Sequence, residues 1–498
     1  MGPPPDLVAR LDLSDLAQEP VWPSALITGA AHYSDAPMCD IHSPIDQALL
    51  GRFAPATIGI VQHAVEAGHG AFLKWRVVPL AQRVILIQTI RQRVRDAREA
   101  LGQLLTIETG LTTRQADHEV ALWLGACDEA AQRCGDELAQ DAYPASAASA
   151  RPSDTMWQPL GAIGILSSSR APLSSWARHA MIALACGNTL VWKPSPKALL
   201  AALAAQRIVE RAVHALAPQV PVQVCQLVAG SEEVGALLAG HASLSLIAIT
   251  GEAGTVQLVA TTVASHLGRC MADVHGSGAA IILPEASVHD ALPRLLPYLD
   301  GRATGRRQAV QRILVHESHL GEWTKQLGLA LDQWVIGDPR APDTDCGPLP
   351  HVDAWWALQS ALQNARQAGC EAMTGGERVH VDQLEDGYYI RPALVSAPYS
   401  ADAIGQACGL PILFVLPYQE TFDALTLHNE RGRAPFTLLI AAHPDEASPY
   451  LAADGVESEQ VHVISLQSPP AALPCPAPAV DWHDYTRRMV RTIEAGEA

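Results

Sequence analysis

The stretch Cys186-Gly187-Asn188-Thr189-Leu190-Val191-Trp192-Lys193-Pro194-Ser195 decides the fold. Gly187-Asn188 is a helix stop, since both residue types accept the backbone that ends a helix. Thr189–Trp192 is a short apolar run, which reads as a buried strand. Lys193-Pro194 leaves the strand at its C-terminal edge, where open α/β sheets bind ligands.

Working outward, the same alternation recurs. Upstream, Ile163–Leu166 is an apolar run followed by helical spacing over Leu173–Ala185. Downstream come a helix over Ala198–Ala215, Val222–Val224, a helix near Glu232–Ala239, and Leu246–Ile249. Further runs are Ala280–Leu283, Ile313–Val315 and Ile412–Val415. Short buried strands alternating with helices predict a parallel α/β sheet. Before residue 135 the spacing is helical over Thr57–Ala71, Leu80–Leu105 and His118–Cys134, and the Pro- and Asp-rich segment 1–24 is expected to run over the surface.

The chain has 498 residues with 48% hydrophobic and 17% charged content, as in ordinary globular proteins and unlike disordered or fibrous ones. Its net charge of −18, without a basic run, argues against binding nucleic acid or an anionic membrane. The ten cysteines form no CxxC pair and no Cys/His zinc spacing, so no metal is expected. Scattered thiols and a start without basic and apolar leader regions place the protein in the cytoplasm.

Thr250-Gly251-Glu252-Ala253-Gly254 follows an apolar strand and opens a helix, a turn whose free N–H groups suit an anion. Together with Pro159–Ile165, Cys186–Pro196, Ile249–Gly251 and Arg312–Ser318, it resembles the aldehyde dehydrogenase superfamily, most closely its α-aminoadipic semialdehyde dehydrogenase (antiquitin) branch. The resemblance implies an α/β fold with a Rossmann-type cofactor domain, an α/β catalytic-like domain, and a β-flap with a C-terminal oligomerisation segment. The implied boundaries are 1–24 for an N-terminal arm, 25–134 and 158–284 for the NAD-binding-like domain, 285–460 for the catalytic-like domain, and 135–157 with 461–498 for oligomerisation.

Family members oxidise aldehydes with NAD(P). A Cys thiolate attacks the carbonyl, an Asn side chain helps hold the oxyanion, and a Glu activates the water that hydrolyses the thioester. The resemblance puts Arg170 at the Asn position, Asp273 at the Glu position and Arg307 at the Cys position. No cysteine lies between Cys270 and Cys346. Lys193, Ser195, Thr250, Gly251 and Glu252 are the vestigial cofactor contacts, with the Glu252 carboxylate opposing a diphosphate. The Glu and Phe that family members place against the nicotinamide side are replaced within Gln406–Pro411. Cys408 reads as a small filler, and His275 and His316 as structural or surface residues.

The expected function is a catalytically degenerate subunit with a structural or regulatory role, binding NAD or NADP weakly or not at all. It would sit in a homo-oligomer or with an active dehydrogenase. The alternatives are altered, lyase- or hydrolase-like chemistry at Arg170, Asp273 and Arg307, and a residual NAD(P)-dependent oxidoreductase acting on an aldehyde or semialdehyde. Arg170, Arg307 and Asp273 are expected to share one small volume, with Asp273 paired to one of the two arginines.

Overall fold

The computed structural model describes residues 2–16, 21–135, 153–217, 220, 224–274, 278–299, 309–397, 409–430, 434–469 and 480–492. In chain order its strands are β1 (Val21–Trp22), β2 (Ala25–Ile27), β3 (Ala30–His32), β4 (Cys39–His42), β5 (Leu49–Phe53), β6 (Ser153–Pro159), β7 (Ala162–Leu166), β8 (Thr189–Lys193), β9 (Cys225–Val228), β10 (Leu246–Gly251), β11 (Arg269–Val274), β12 (Gly278–Ile282), β13 (Val310–His316), β14 (Glu371–Thr374), β15 (Ala393–Ser396), β16 (Ile412–Tyr418), β17 (Thr437–Ala441), β18 (Val461–Ser465) and β19 (Thr486–Thr492).

The first large sheet has the order β11-β10-β7-β8-β9-β2-β3. It is parallel from β11 to β9, and β2 and β3 close it antiparallel. Its central strands are apolar on both faces because both are covered. Ile163, Ile165, Leu190 and Trp192 face a core with the helices Leu80–Asp96, Thr113–Arg133, Ser174–Cys186 and Leu199–Ala215. Ala162, Leu166, Val191 and Ile247 face the other way, towards the helices Ile58–Trp75, Glu232–Ala239 and Ala253–Ser265. On the first face Trp192 stacks on Trp176 at 4.4 Å, and Trp123 meets Trp176 edge-on at 5.3 Å.

Two buried glutamates from the helical layer cap the helices that lead to the site. Glu119 accepts the N–H groups of Leu173 and Ser174 at 3.2 and 3.1 Å. Glu108 accepts those of Leu200 and Ala201 at 2.7 and 2.8 Å. A carboxylate there satisfies orphan amides and complements the helix dipole.

The Gly187-Asn188 stop works as expected and does more besides. Gly187 has φ +99° and lies against the Arg83 guanidinium, so a side chain there would be strained and would collide. Asn188 is fully buried; its Oδ1 accepts the Leu160 and Gly161 N–H groups at 2.7 and 3.0 Å, and its Nδ2 donates to the Ala183 and Tyr485 carbonyls at 3.1 and 2.9 Å.

The second large sheet has the order β14-β15-β16-β13-β12-β17-β18 and is parallel apart from the β14 edge. Apolar cores lie on both of its faces.

The expected boundaries need correction at three places. A division at 284/285 leaves β12 with the first unit, yet β12 pairs with β13 and β17 in the middle of the second sheet. β18 falls in the expected oligomerisation segment but extends the same sheet beside β17. The N-terminal arm is packed, because Leu7, Leu11, Leu13 and Leu16 are all buried in the first core. Segment 136–152 lies outside the described residues, and β6 beside it pairs antiparallel with β19. The expected Leu80–Leu105 helix is two helices, Leu80–Asp96 and Arg98–Thr109, broken at Ala97.

Candidate functional site

The chain leaves β7 towards β8, and leaves the neighbouring β10 in the opposite direction towards β11. Adjacent parallel strands with diverging exits open a crevice at their C-terminal ends, the ligand position in doubly wound sheets. Arg170 follows β7 and Glu252 follows β10. Their side chains meet across that crevice with a guanidinium-to-carboxylate distance of 2.5 Å, one about a quarter and the other about half exposed.

Arg170 also reaches the second sheet. It lies so close to Gly409 that any side chain at that position would overlap the guanidinium, and Gly409 has φ +77°. Gly409 is held in turn by its N–H to Gln311 Oε1 at 3.2 Å, while Gln311 Nε2 donates to the Leu410 carbonyl at 2.6 Å. The start of the helix Val352–Gln367 joins the same region. Burial, then the Lys197 and Arg170 charges, hold the His351 imidazole below its ordinary pKa, with Asp353 opposing. A neutral ring suits His351, whose Nδ1 accepts the Ala354 N–H at 3.3 Å. Lys197 is likewise held low, chiefly by burial, with Asp353 opposing and Arg170 adding to the depression.

Asp273 lies at the end of β11 and pairs with Arg178, a residue of the helix Ser174–Cys186. Thr250 sits between them, its Oγ1 accepting from Arg178 at 3.2 Å and donating to Asp273 at 3.3 Å. Of the two arginines expected to pair with Asp273, Arg170 takes a second carboxylate, that of Glu252. Arg307, Cys408 and His275 lie outside the described residues. His316 ends β13, with its Nδ1 at 2.7 Å from Ser318 Oγ, as a structural residue does.

Sequence reasoning missed Arg178, Lys197 and His351. Arg178 carried a signal: it is the one Lys, Arg, Asp or Glu in a mostly apolar helix, and such a charge needs a partner.

The expected cofactor contacts divide into two groups. Lys193 is 9% exposed, and burial lowers its pKa to about 8 with Glu232 opposing. Ser195 caps a short helical turn, its Oγ accepting the Lys197 N–H at 3.4 Å. These residues at the end of β8 can receive a polar ligand group. The other expected contacts lie at the end of β10. Gly251 ends β10, and Glu252 precedes the helix Ala253–Ser265 without a side-chain cap, so its carboxylate stands at the start of that helix. Burial also pushes up the thiols of Cys127, Cys186, Cys225 and Cys270, which leaves none of these as an activated thiolate.

The aldehyde dehydrogenase family model matches residues 32–448. The chain belongs to the aldehyde dehydrogenase family. Among curated family proteins it is 24% identical over 440 residues to "Aldehyde dehydrogenase family 7 member A1" of Brassica napus, covering 87% of each chain. It is 25% identical over 393 residues to the α-aminoadipic semialdehyde dehydrogenase of Mus musculus, covering 78% of this chain and 71% of the other. Both relatives are in keeping with the expected antiquitin branch. Among solved structures, betaine aldehyde dehydrogenase from Staphylococcus aureus in complex with NAD+ superposes with a TM-score of 0.83 at 18% identity, covering 99% and 98% of the two chains. That likeness confirms the α/β fold of the family. Among the described residues no helix is long and apolar enough to cross a membrane.

Proposed function

We propose that this family member is catalytically degenerate and acts as a structural or regulatory subunit of an oligomer. One observation carries the reading: no cysteine occurs between Cys270 and Cys346, the span that includes Arg307 at the family's nucleophile position. Hydride can leave an aldehyde only after a nucleophile has added, so the first covalent step has no agent. Asp273, at the base position, is tied to Arg178, and Arg170, at the oxyanion position, is tied to Glu252.

The same pairs bear on the cofactor. Lys193 can still meet a ribose, while Glu252 and Arg170 fill the crevice where the diphosphate of NAD or NADP would lie. Weak binding or none follows. The ribbon of β6 and β19 supports assembly. A two-stranded ribbon is marginal on its own, and among the described residues neither of its outer edges is paired. The two sheets would correspond to a cofactor-type and a catalytic-type domain. A cytoplasmic location is consistent with the described cysteines, none of which is in a disulfide.

A second reading, an NAD(P)-dependent oxidoreductase acting on an aldehyde or semialdehyde, is favoured by the named activities of the relatives and by the retained Lys193. One assay separates the two. The purified chain is offered aliphatic aldehydes and α-aminoadipic semialdehyde with NAD and with NADP, and reduced cofactor is followed by absorbance. The first reading expects no turnover, and a rate above about 1 s⁻¹, at the low end of ordinary enzymes, establishes the second. Light scattering at micromolar concentration tests assembly, and a monodisperse monomer removes the subunit role.

A further inference from the structure

We propose that Glu285, His443 and Glu446 form a divalent-cation site of the zinc class at the C-terminal edge of the second sheet. Its position repeats the logic of the first crevice. The chain leaves β12 towards β13 and leaves the neighbouring β17 in the opposite direction towards β18, so a second crevice opens between the ends of β12 and β17. Glu285 follows β12, while His443 and Glu446 follow β17. The Arg170 region touches this sheet at its other end, before β13 and β16, so the two crevices are separated by one strand length, roughly 15–20 Å. No Cys/His spacing marks this group in the sequence, because its members come from two strand ends separated by about 160 positions of chain.

The three side chains place one ligand atom each within 4.8 Å of one another. A tetrahedral shell with metal–ligand distances of about 2.0–2.2 Å puts its ligand atoms roughly 3.3–3.6 Å apart, so small movements of the exposed Glu285 and His443 side chains complete it. Glu446 is the member that points to a cation. Its Oε1 accepts the His443 N–H at 2.9 Å, whereas its Oε2 is buried with no hydrogen-bond donor. Glu446 is one of the groups that, after burial and Tyr450, hold the Tyr418 phenol above its ordinary pKa, so its carboxylate lies near that ring. The Tyr418 hydroxyl does not satisfy it, because that proton is donated to the Ile282 carbonyl at 2.6 Å. A buried carboxylate oxygen without a donor is costly, and a cation at this point removes the cost.

The imidazole is oriented from behind. The Gln467 Nε2, just after β18, lies 2.6 Å from His443 Nδ1 and donates to it. A half turn of that amide would let its oxygen accept from Nδ1–H and leave Nε2 unprotonated for the metal, the usual support for a ligating histidine. One imidazole nitrogen with two carboxylate oxygens selects a first-row divalent ion over Mg²⁺ or Ca²⁺, and three protein ligands on an open face leave room for water.

The test uses the full chain after dialysis against a chelator. Zinc chloride is titrated by calorimetry, and Co²⁺ binding is followed by visible absorption. The expected result is one site, weakened more than about tenfold in H443A and in E446Q and less in Q467A. The Co²⁺ spectrum should lack a thiolate charge-transfer band, which separates this site from the exposed Cys39. Without metal, E446Q should melt no lower than the parent chain, because it removes the orphan charge; with saturating Zn²⁺ only the parent should gain melting temperature. Undiminished zinc affinity in the H443A/E446Q double variant, a thiolate band, or no binding up to about 1 mM free Zn²⁺ overturns the proposal.

Discussion

The Arg170 guanidinium stands 2.5 Å from the Glu252 carboxylate, so a residue leaving β7 closes the crevice against a residue leaving β10. A pair this exposed adds at most about 1 kcal/mol to stability. Its weight lies in what it excludes. On the proposed reading, the positions for steadying an oxyanion and admitting a diphosphate hold two side chains paired with each other.

Removing the carboxylate should therefore improve dinucleotide binding. The parent chain is expected to bind NAD in the millimolar range or not detectably. Glu252→Ser should tighten whatever binding exists by about fivefold, corresponding to roughly 1 kcal/mol of relieved repulsion. Calorimetry checks this, and an unchanged Kd would mean that the carboxylate does not face the ligand.

Restoring a thiol should not restore the reaction. In Arg307→Cys, Arg170 still occupies the oxyanion position and Asp273 is still held by Arg178. No reduced cofactor should accumulate with any aldehyde, and robust turnover from this one change would show an intact cofactor site.

The Arg178–Asp273 pair is more buried, with both side chains less than a fifth exposed. Arg178→Ala removes this cationic partner from the Asp273 carboxylate and should cost about 3 kcal/mol in urea unfolding. Asp273→Asn should cost less, because the amide oxygen can still accept from Arg178. Equal losses in the two variants would count against a charge-based role.

Asn188→Ala leaves three backbone groups without this partner, those of Leu160, Gly161 and Tyr485, while the Ala183 carbonyl keeps the N–H of residue 188. Stability should fall by about 3 kcal/mol or more. Proteolysis should then reach the β19 segment well before the rest of the chain unfolds, since one of the lost bonds holds that segment.

His428 is buried, with its ring nitrogens 2.7 Å from Asn429 Oδ1 and 2.6 Å from Thr437 Oγ1. Burial lowers its pKa from 6.5 to about 4, with the Asn429 contact opposing and Arg312 adding to the depression. The folded state thus binds fewer protons than the unfolded chain between those values. The contribution of this group is fully present above pH 6.5 and is lost as pH falls towards about 4, a drop on the order of 3 kcal/mol. His428→Gln should flatten that part of the stability curve measured by urea melts.

The alternation of strands and helices was legible wherever a strand is covered on both faces, as in β7, β8 and β10, because burial forces a continuous apolar run. β11 was not legible. It is an edge strand whose residues Arg269–Val274 alternate between exposed and half-buried, so no apolar run marks it. The break at Ala97 has no Gly or Pro to announce it. Arg170 and Asp273 were found by position in a family motif, but their partners were not. Glu252 and Arg178 reach them from other elements, and pairings of that kind are set by the three-dimensional path of the chain.

The hydrogen bond from Asn188 to the Tyr485 carbonyl joins residues 297 positions apart, and the edge-on contact of Trp157 with Trp482 at 5.3 Å joins the same two regions. On a ribosome adding roughly 5–20 residues per second, this leaves the first sheet without its closing piece for about 15–60 s. For that interval Asn188 and the groove that later holds Trp482 and Tyr485 are unsealed. The nascent chain then needs shielding from its neighbours, and a product released before Tyr485 carries an open seam that quality-control proteases can recognise.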